Sequence, residues 1–122
     1  MDSTLSYKRF ETKQHNDVIE IRLLDRQLSD LMLQSELSDE FINFATNEKP
    51  MKVVVNFANV NYCNTGTIGA LIQLRKHVIA TCGLLKLCHI SQPIREAFQA
   101  LNLDGTLFEV HDTIGEACHS FG

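Results

Sequence analysis

Chain breakers are scarce in this sequence, with two prolines and six glycines in 122 residues. Together with an apolar fraction of 44%, that scarcity excludes a disordered or low-complexity chain and leaves enough apolar side chains for a core. Basic clusters are missing as well. The longest basic run is Arg75-Lys76-His77, and 11 basic residues face 15 acidic ones for a net charge of −4. Phosphate contacts require grouped cations, so nucleic acid is not an expected partner. No apolar run approaches the ~20 residues of a membrane span. The N-terminal stretch MDSTLSYKRFETKQHNDV lacks the apolar core of a signal peptide. The expectation is a cytoplasmic chain with no membrane insertion. Cys63, Cys82, Cys88 and Cys118 form no C-x-x-C pair and each sits among apolar residues, which predicts buried free thiols. Cys88-His89 and Cys118-His119 match no zinc-ligand spacing, so no metal or other cofactor is expected.

What is present is an ordered series of periodic segments without repeats or linkers, which predicts one domain over residues 1–122. Residues 5–12 predict an edge strand, His15-Asn16-Asp17 a turn, and the alternation in Val18–Leu23 a second strand, together a hairpin. The free edge of that hairpin leaves a homodimer open. Leu33, Leu37, Phe41, Phe44 and Ala45 recur at helical spacing and predict a helix over residues 31–47, capped by Ser29 or Asp30 and stopped by Lys49-Pro50. The run Val53-Val54-Val55 predicts a central strand over residues 51–57, buried on both faces. A helix over residues 65–81 buries Ile68, Leu71, Ile72, Val78 and Ile79 and ends at Gly83. Residues 84–90 predict a strand. Ser91 as cap and Pro93 in the first turn open a third helix. Residues 106–110 predict a short strand, and Thr113-x-x-Glu116 is a capping box for a last helix. The order ββαβαβαβα demands right-handed crossovers and gives an α/β domain with a mixed central sheet and helices mainly on one face. Phe57 and Tyr62 are expected in the core, and Met32 and Met51 in packing roles. The five histidines do not converge, and no catalytic pair or enzyme activity is predicted.

The chemistry concentrates where the central strand meets the second helix, in Asn64-Thr65-Gly66-Thr67. Free amides and the helix dipole make such a spot favourable to anions. Gly66-x-x-Gly69 is an incomplete dinucleotide fingerprint, because Asn64 stands at its first glycine and Cys88-His89-Ile90-Ser91 supplies no ribose-binding acid. A P-loop lysine is also missing. Three uses remain: noncovalent anion binding, covalent phosphorylation of Thr65 or Thr67, or a plain cap by Asn64 or Thr65 that stabilises the helix by about 1 kcal/mol.

The ordered set carries further meaning. Asn56-Phe57, Val60 and Tyr62 precede Asn64-Thr65-Gly66-Thr67-Ile68-Gly69, and Ser91, Ile94, Phe98 and Leu103 follow it. Over about residues 18–117 this pattern resembles the STAS family, the sulfate-transporter and anti-sigma-factor-antagonist domains. The resemblance implies a regulatory protein. In the antagonists a partner Ser/Thr kinase of the histidine-kinase-like ATPase fold, which is also the anti-sigma factor, phosphorylates the first hydroxyl of a D-S-S/T turn and thereby ends its own binding. The matching phosphoacceptor is Thr65, with Thr67 as the second candidate. Asp25, Asn64, Gly66, Thr67 and Ile68 match the partner surface, and ATP belongs to the partner. Asn64 stands for the family's Asp, Gly66 for its second hydroxyl residue and Thr67 for its glycine. Rival expectations are a STAS scaffold or accessory subunit that ignores phosphorylation, and a small-ligand or nucleotide binder.

Overall fold

The computed structural model describes residues 7–101 and 108–121. Strands β1 (Phe10–His15) and β2 (Val18–Leu23) form the opening hairpin. Asn16 takes φ 56° at the first turn position, as the primed hairpin turns require. The first strand thus lies later than the predicted 5–12, and Leu5 falls outside the described residues. The two-residue turn fixes the pairing His15↔Val18, which draws His15 into the strand. Glu11 to Gln14 show no alternation to read, because they face solvent on both sides.

Short strand β3 (Gln27–Leu28) leads to helix α1 (Leu31–Glu48). Asp30 is its cap, with Oδ1 accepting from the Met32 N–H at 2.7 Å. The helix ends where Lys49 adopts φ 46° before Pro50. Strand β4 (Lys52–Asn56), the two-residue β5 (Tyr62–Cys63) and α2 (Thr65–Ala80) follow, then β6 (Leu84–Cys88), α3 (Gln92–Ala100), β7 (Glu109–His111) and α4 (Ile114–His119). The predicted element order holds, with β3 and β5 added as a separate parallel pair. Leu103 and Thr106 fall outside the described residues. The left-handed position after α2 is Cys82 at φ 66°, not Gly83. Gly83 answers a steric need instead, since a Cβ there would lie 2.5 Å from the Pro50 carbonyl oxygen and 2.8 Å from Val78 Cγ1. Ser91 begins α3 without a side-chain capping bond, and its Oγ is buried with no hydrogen-bond partner among the described residues.

The main sheet has the order β1-β2-β4-β6-β7, antiparallel only between β1 and β2. Every parallel step moves one strand in the same direction. Right-handed crossovers therefore place α1, α2 and α3 on a single face. The large core lies there, where Phe10, Ile21, Leu23, Val53, Val55 and Leu87 meet Phe41, Leu71 and Phe98. Among the described helices only α4 lies on the second face, with Ile114, Ala117, Cys118 and Phe121 over Val18, Val54 and Cys88. Lys86 fastens it there through the Ser120 carbonyl and hydroxyl at 3.1 and 2.7 Å, with Glu109 at 3.0 Å.

The rest of the second face is polar. Glu20 is 1% exposed there. It is bonded to His15 Nε2 and Asn56 Nδ2, each at 2.7 Å, with Arg22 at 3.3 Å. Burial opposes the charge on Glu20, but the His15 and Asn56 hydrogen bonds and the Arg22 charge outweigh it and hold the carboxyl below its usual range. Among the described residues no helix is long and apolar enough to cross a membrane.

Candidate docking site at the start of α2

The β3–β5 pair binds the segment before α1 to the segment before α2. Gln27 lies beside Tyr62 and Leu28 beside Cys63. The Arg26 carbonyl accepts from the N–H groups of Asn61 and Tyr62 at 2.7 and 3.2 Å. Asn64 then turns the chain into α2 with extended backbone, its Oδ1 accepting from the Thr67 N–H at 3.1 Å. The same oxygen accepts from Gln34 Nε2 of α1 at 2.6 Å, and Asn64 Nδ2 donates to the Ser29 carbonyl at 3.2 Å.

These contacts account for both departures from the usual acid–hydroxyl turn. An aspartate at position 64 would turn an oxygen, not an N–H, toward the Ser29 carbonyl. A side chain at position 66 would collide with Gln34, because a Cβ on Gly66 would lie 2.2 Å from Gln34 Oε1. Gln34 therefore fills the place of the missing second hydroxyl residue and braces the cap from the neighbouring helix.

Thr65 and Gly66 are exposed and Asn64 is half-buried, whereas Thr67 and Ile68 are at most 1% exposed. Thr67 is an anchor. Its Oγ1 donates to the Leu28 carbonyl at 2.8 Å, so its hydroxyl is committed inside the fold. The accessible part of the turn is Asn64-Thr65-Gly66, and neither Thr67 nor Ile68 contributes surface to it. Asp25 lies next to Arg26, the residue that holds the β5 loop. Its carboxylate is half-buried against Arg9 Nη1 at 3.2 Å.

Tyr62, expected in the core, and Met32, expected in a packing role, both stand outside the core. Tyr62 is 50% exposed and Met32 73%, and Leu31 beside it is 80% exposed. Leu31 and Met32 occupy the first turn of α1, the helix whose Gln34 reaches the cap. In the sequence they fall off the stripe of Leu37, Phe41 and Phe44, which was the available signal. Met51 is likewise exposed, at the other end of the strands, as are Ile79 and Cys82. The first turn of α2 carries no acidic residue, so its free amides and dipole face no carboxylate from their own helix.

Other clusters lie apart. His15 and His111 bond to Glu20 and Glu109, and His89 Nε2 accepts from the Ile114 N–H at 3.3 Å. No group of three or more His, Cys, Asp or Glu among the described residues could hold a metal ion. A groove of about 540 Å³ lies between the hairpin turn and α4, lined by His15, Asp17, Val18, Ile114, Cys118 and His119, at the opposite end of the parallel strands from Thr65.

Fold and turn together define an α/β domain with a mixed five-stranded sheet and a capped strand-to-helix turn. Residues 10–117 match the family model of the STAS domain, and the chain belongs to that family. No curated protein matches the sequence. Among solved structures, a STAS-domain anti-sigma-factor antagonist protein from Planctomyces limnophilus superposes with a TM-score of 0.81 at 18% identity, covering 93% of this chain and 97% of its own. An anti-sigma factor antagonist from Mycobacterium paratuberculosis gives a TM-score of 0.78 at 14% identity, with 91% of each chain covered. The Bacillus cell-fate determinant SpoIIAA in its phosphorylated form gives 0.68 at 18% identity, covering 93% of this chain and 99% of the other. At these identities the likeness is one of fold.

Proposed function

We propose that this chain is an antagonist of the anti-sigma-factor type, which docks through the turn at the start of α2 onto a Ser/Thr kinase of the histidine-kinase-like ATPase fold and is released by phosphorylation of Thr65. The observation that carries this reading is the division of labour between the two threonines. Thr67 is locked inward by Leu28, while Thr65, the first residue of α2, is exposed. Leu31, Met32 and Tyr62 give the surrounding surface apolar area of the kind that protein partners bury. Asp25, Asn64 and Gly66 complete the docking surface.

In the switching step the Thr65 hydroxyl oxygen attacks the terminal phosphorus of ATP held by the partner. The bond from that phosphorus to ADP breaks, and the hydroxyl proton passes to a base on the partner. The phosphate adds a charge of about −1.5 to −2. The α2 dipole tolerates that charge locally. An apolar docking surface does not, so release needs no refolding of the domain. The chain acts in the cytoplasm with no cofactor of its own. Self-association through the hairpin edge is compatible with docking at the turn.

A second reading has its own observation. The neutral cap of Asn64 braced by Gln34 suits a scaffold or accessory subunit that binds its partner regardless of phosphorylation. Intact mass and peptide mapping of the protein from its native cell separate the two, together with partner binding by Thr65→Ala and Thr65→Asp. A species about 80 Da heavier mapped to Thr65, with binding lost in Thr65→Asp and kept in Thr65→Ala, is the expected result. An unmodified chain whose Thr65→Asp form binds as wild type would establish the scaffold reading instead.

A further inference from the structure

Strand β1 ends the five-stranded sheet, and its outer edge is not paired to any other described strand. We infer that this edge is a self-complementary docking site for a second copy of the chain, joined antiparallel about a two-fold axis at Thr12. The phase of its hydrogen bonds and the order of its charges both support that register.

In a hairpin closed by a two-residue turn, the closing pair exchanges both backbone bonds and bonded pairs then alternate. With His15↔Val18 as the closing pair, His15, Lys13 and Glu11 turn their N–H and C=O groups toward β2. The bond from the Leu24 N–H to the Arg9 carbonyl, two residues beyond Glu11, keeps the same phase. Phe10, Thr12 and Gln14 therefore turn their backbone groups outward. Two copies placed with Thr12 opposite Thr12 make Thr12 a bonded pair with itself. Phe10 and Gln14 of each copy then pair with Gln14 and Phe10 of the other.

In that arrangement Glu11 faces Lys13 of the second copy, twice over, in the non-bonded pairs where Cα atoms approach to about 4.5 Å and side chains meet most closely. Both residues are exposed and stand on the second face of the sheet, next to Arg22 and Glu20 respectively. The row across the joint reads Glu20, Lys13, Glu11 of the second copy, Arg22 of the second copy. The charges alternate throughout. Moving the axis to Glu11 or to Lys13 keeps the bond phase but sets like charges directly opposite in the close pair. Placing the axis between residues opposes inward-turned to outward-turned backbone groups and makes no ladder. The two Thr65 turns then point to opposite ends of the joint ten-stranded sheet, and both remain free for a partner.

Sedimentation of the full chain over a concentration series tests this. Wild type should rise from 13.8 kDa toward twice that mass, less so in high salt, which screens the exposed charges. Glu11→Lys alone and Lys13→Glu alone should each weaken self-association about tenfold or more, because two opposed pairs change from attraction to repulsion. An equimolar mixture of the two variants should restore the dimer, since each chain then meets the other's opposite charges. Both positions are exposed, but each swap sets like charges beside Arg22 or Glu20 of its own chain, so thermal unfolding of each variant is measured alongside to show that it is folded. The inference is overturned if wild type stays at 13.8 kDa throughout, or if the single variants associate as wild type does, or if the mixture fails to recover.

Discussion

Gln34 and Gly66 should be energetically coupled, and the coupling can be worked out from their contact. In a helix, Gly→Ala ordinarily stabilises by about 0.5–1 kcal/mol, through lost backbone freedom in the unfolded chain. At position 66 the new methyl would lie 2.2 Å from Gln34 Oε1 and 2.7 Å from its Cδ. The obstacle is the end of a flexible side chain, so Gln34 swings out and the backbone stays. That movement breaks the 2.6 Å bond from Gln34 Nε2 to Asn64 Oδ1, a net loss of about 0.5–1.5 kcal/mol. In wild type the two effects roughly cancel, and Gly66→Ala should leave stability unchanged or slightly lower. In a Gln34→Ala background the obstacle and the bond are already gone, and the same substitution should stabilise by the full helix term. The coupling is then about 0.5–1.5 kcal/mol, a difference of a few degrees in melting temperature for a domain of this size. Thermal unfolding of wild type, both single variants and the double variant measures it. Equal shifts in Tm from Gly66→Ala in both backgrounds would refute the claim that Gln34 occupies the space of the missing side chain.

Thr67→Val should destabilise by about 1 kcal/mol by removing the bond to the Leu28 carbonyl, and amide exchange should accelerate in β3 and β5, as a hydrogen-exchange map would show. Gly83→Ala should lower stability by about 1–3 kcal/mol in denaturant unfolding, since its methyl meets the Pro50 backbone and the buried Val78. Glu20 ionises more readily folded than unfolded, so its contribution is complete above the unfolded value near ~4.3 and is lost as pH falls through the lower folded value. Tm measured from about pH 6 down to about pH 3 should therefore fall less steeply in Glu20→Gln than in wild type. Burial pushes the Cys63 thiol up to about 11, and burial with the nearby Glu20 charge pushes Cys88 up to about 12, while Cys82 is exposed. Alkylation at neutral pH should mark Cys82 first and reach Cys63 and Cys88 only as fast as the chain opens.

The parallel strands and the helices were legible in the sequence because their periodicity is enforced by burial. Val53 to Val55 and the Leu37–Phe41–Phe44 stripe have only one consistent placement. β1 was misplaced by several residues because four of its six side chains face water and carry no pattern. β3 and β5 were missed because two residues cannot show a period. At the turn, Asn64, Thr65 and Gly66 were identified from their place between strand and helix. Gln34 was invisible there, since its role depends on α1 lying against the start of α2. Thr67 was miscast as surface because a threonine hydroxyl satisfied by a carbonyl 39 residues away leaves no trace in local order. The expectation of a core place for Tyr62 and packing roles for Met32 and Met51 rests on apolarity alone. That rule runs one way, since apolar residues also populate surfaces.

The brace around Asn64 contains amides, a hydroxyl and backbone carbonyls, and nothing in it gains or loses a proton between weak acid and weak base. Across the sheet, by contrast, the carboxylates of Glu20 and Glu109 are held by the cations Arg22 and Lys86. The bonds that fix the start of α2 are thus neutral, while the second face relies on ionic pairs and the Arg9–Asp25 pair adds an ionic contact on the docking side. Acid or salt acts directly on the pairs of the second face and on Arg9–Asp25, not on the neutral hydrogen bonds that hold Asn64.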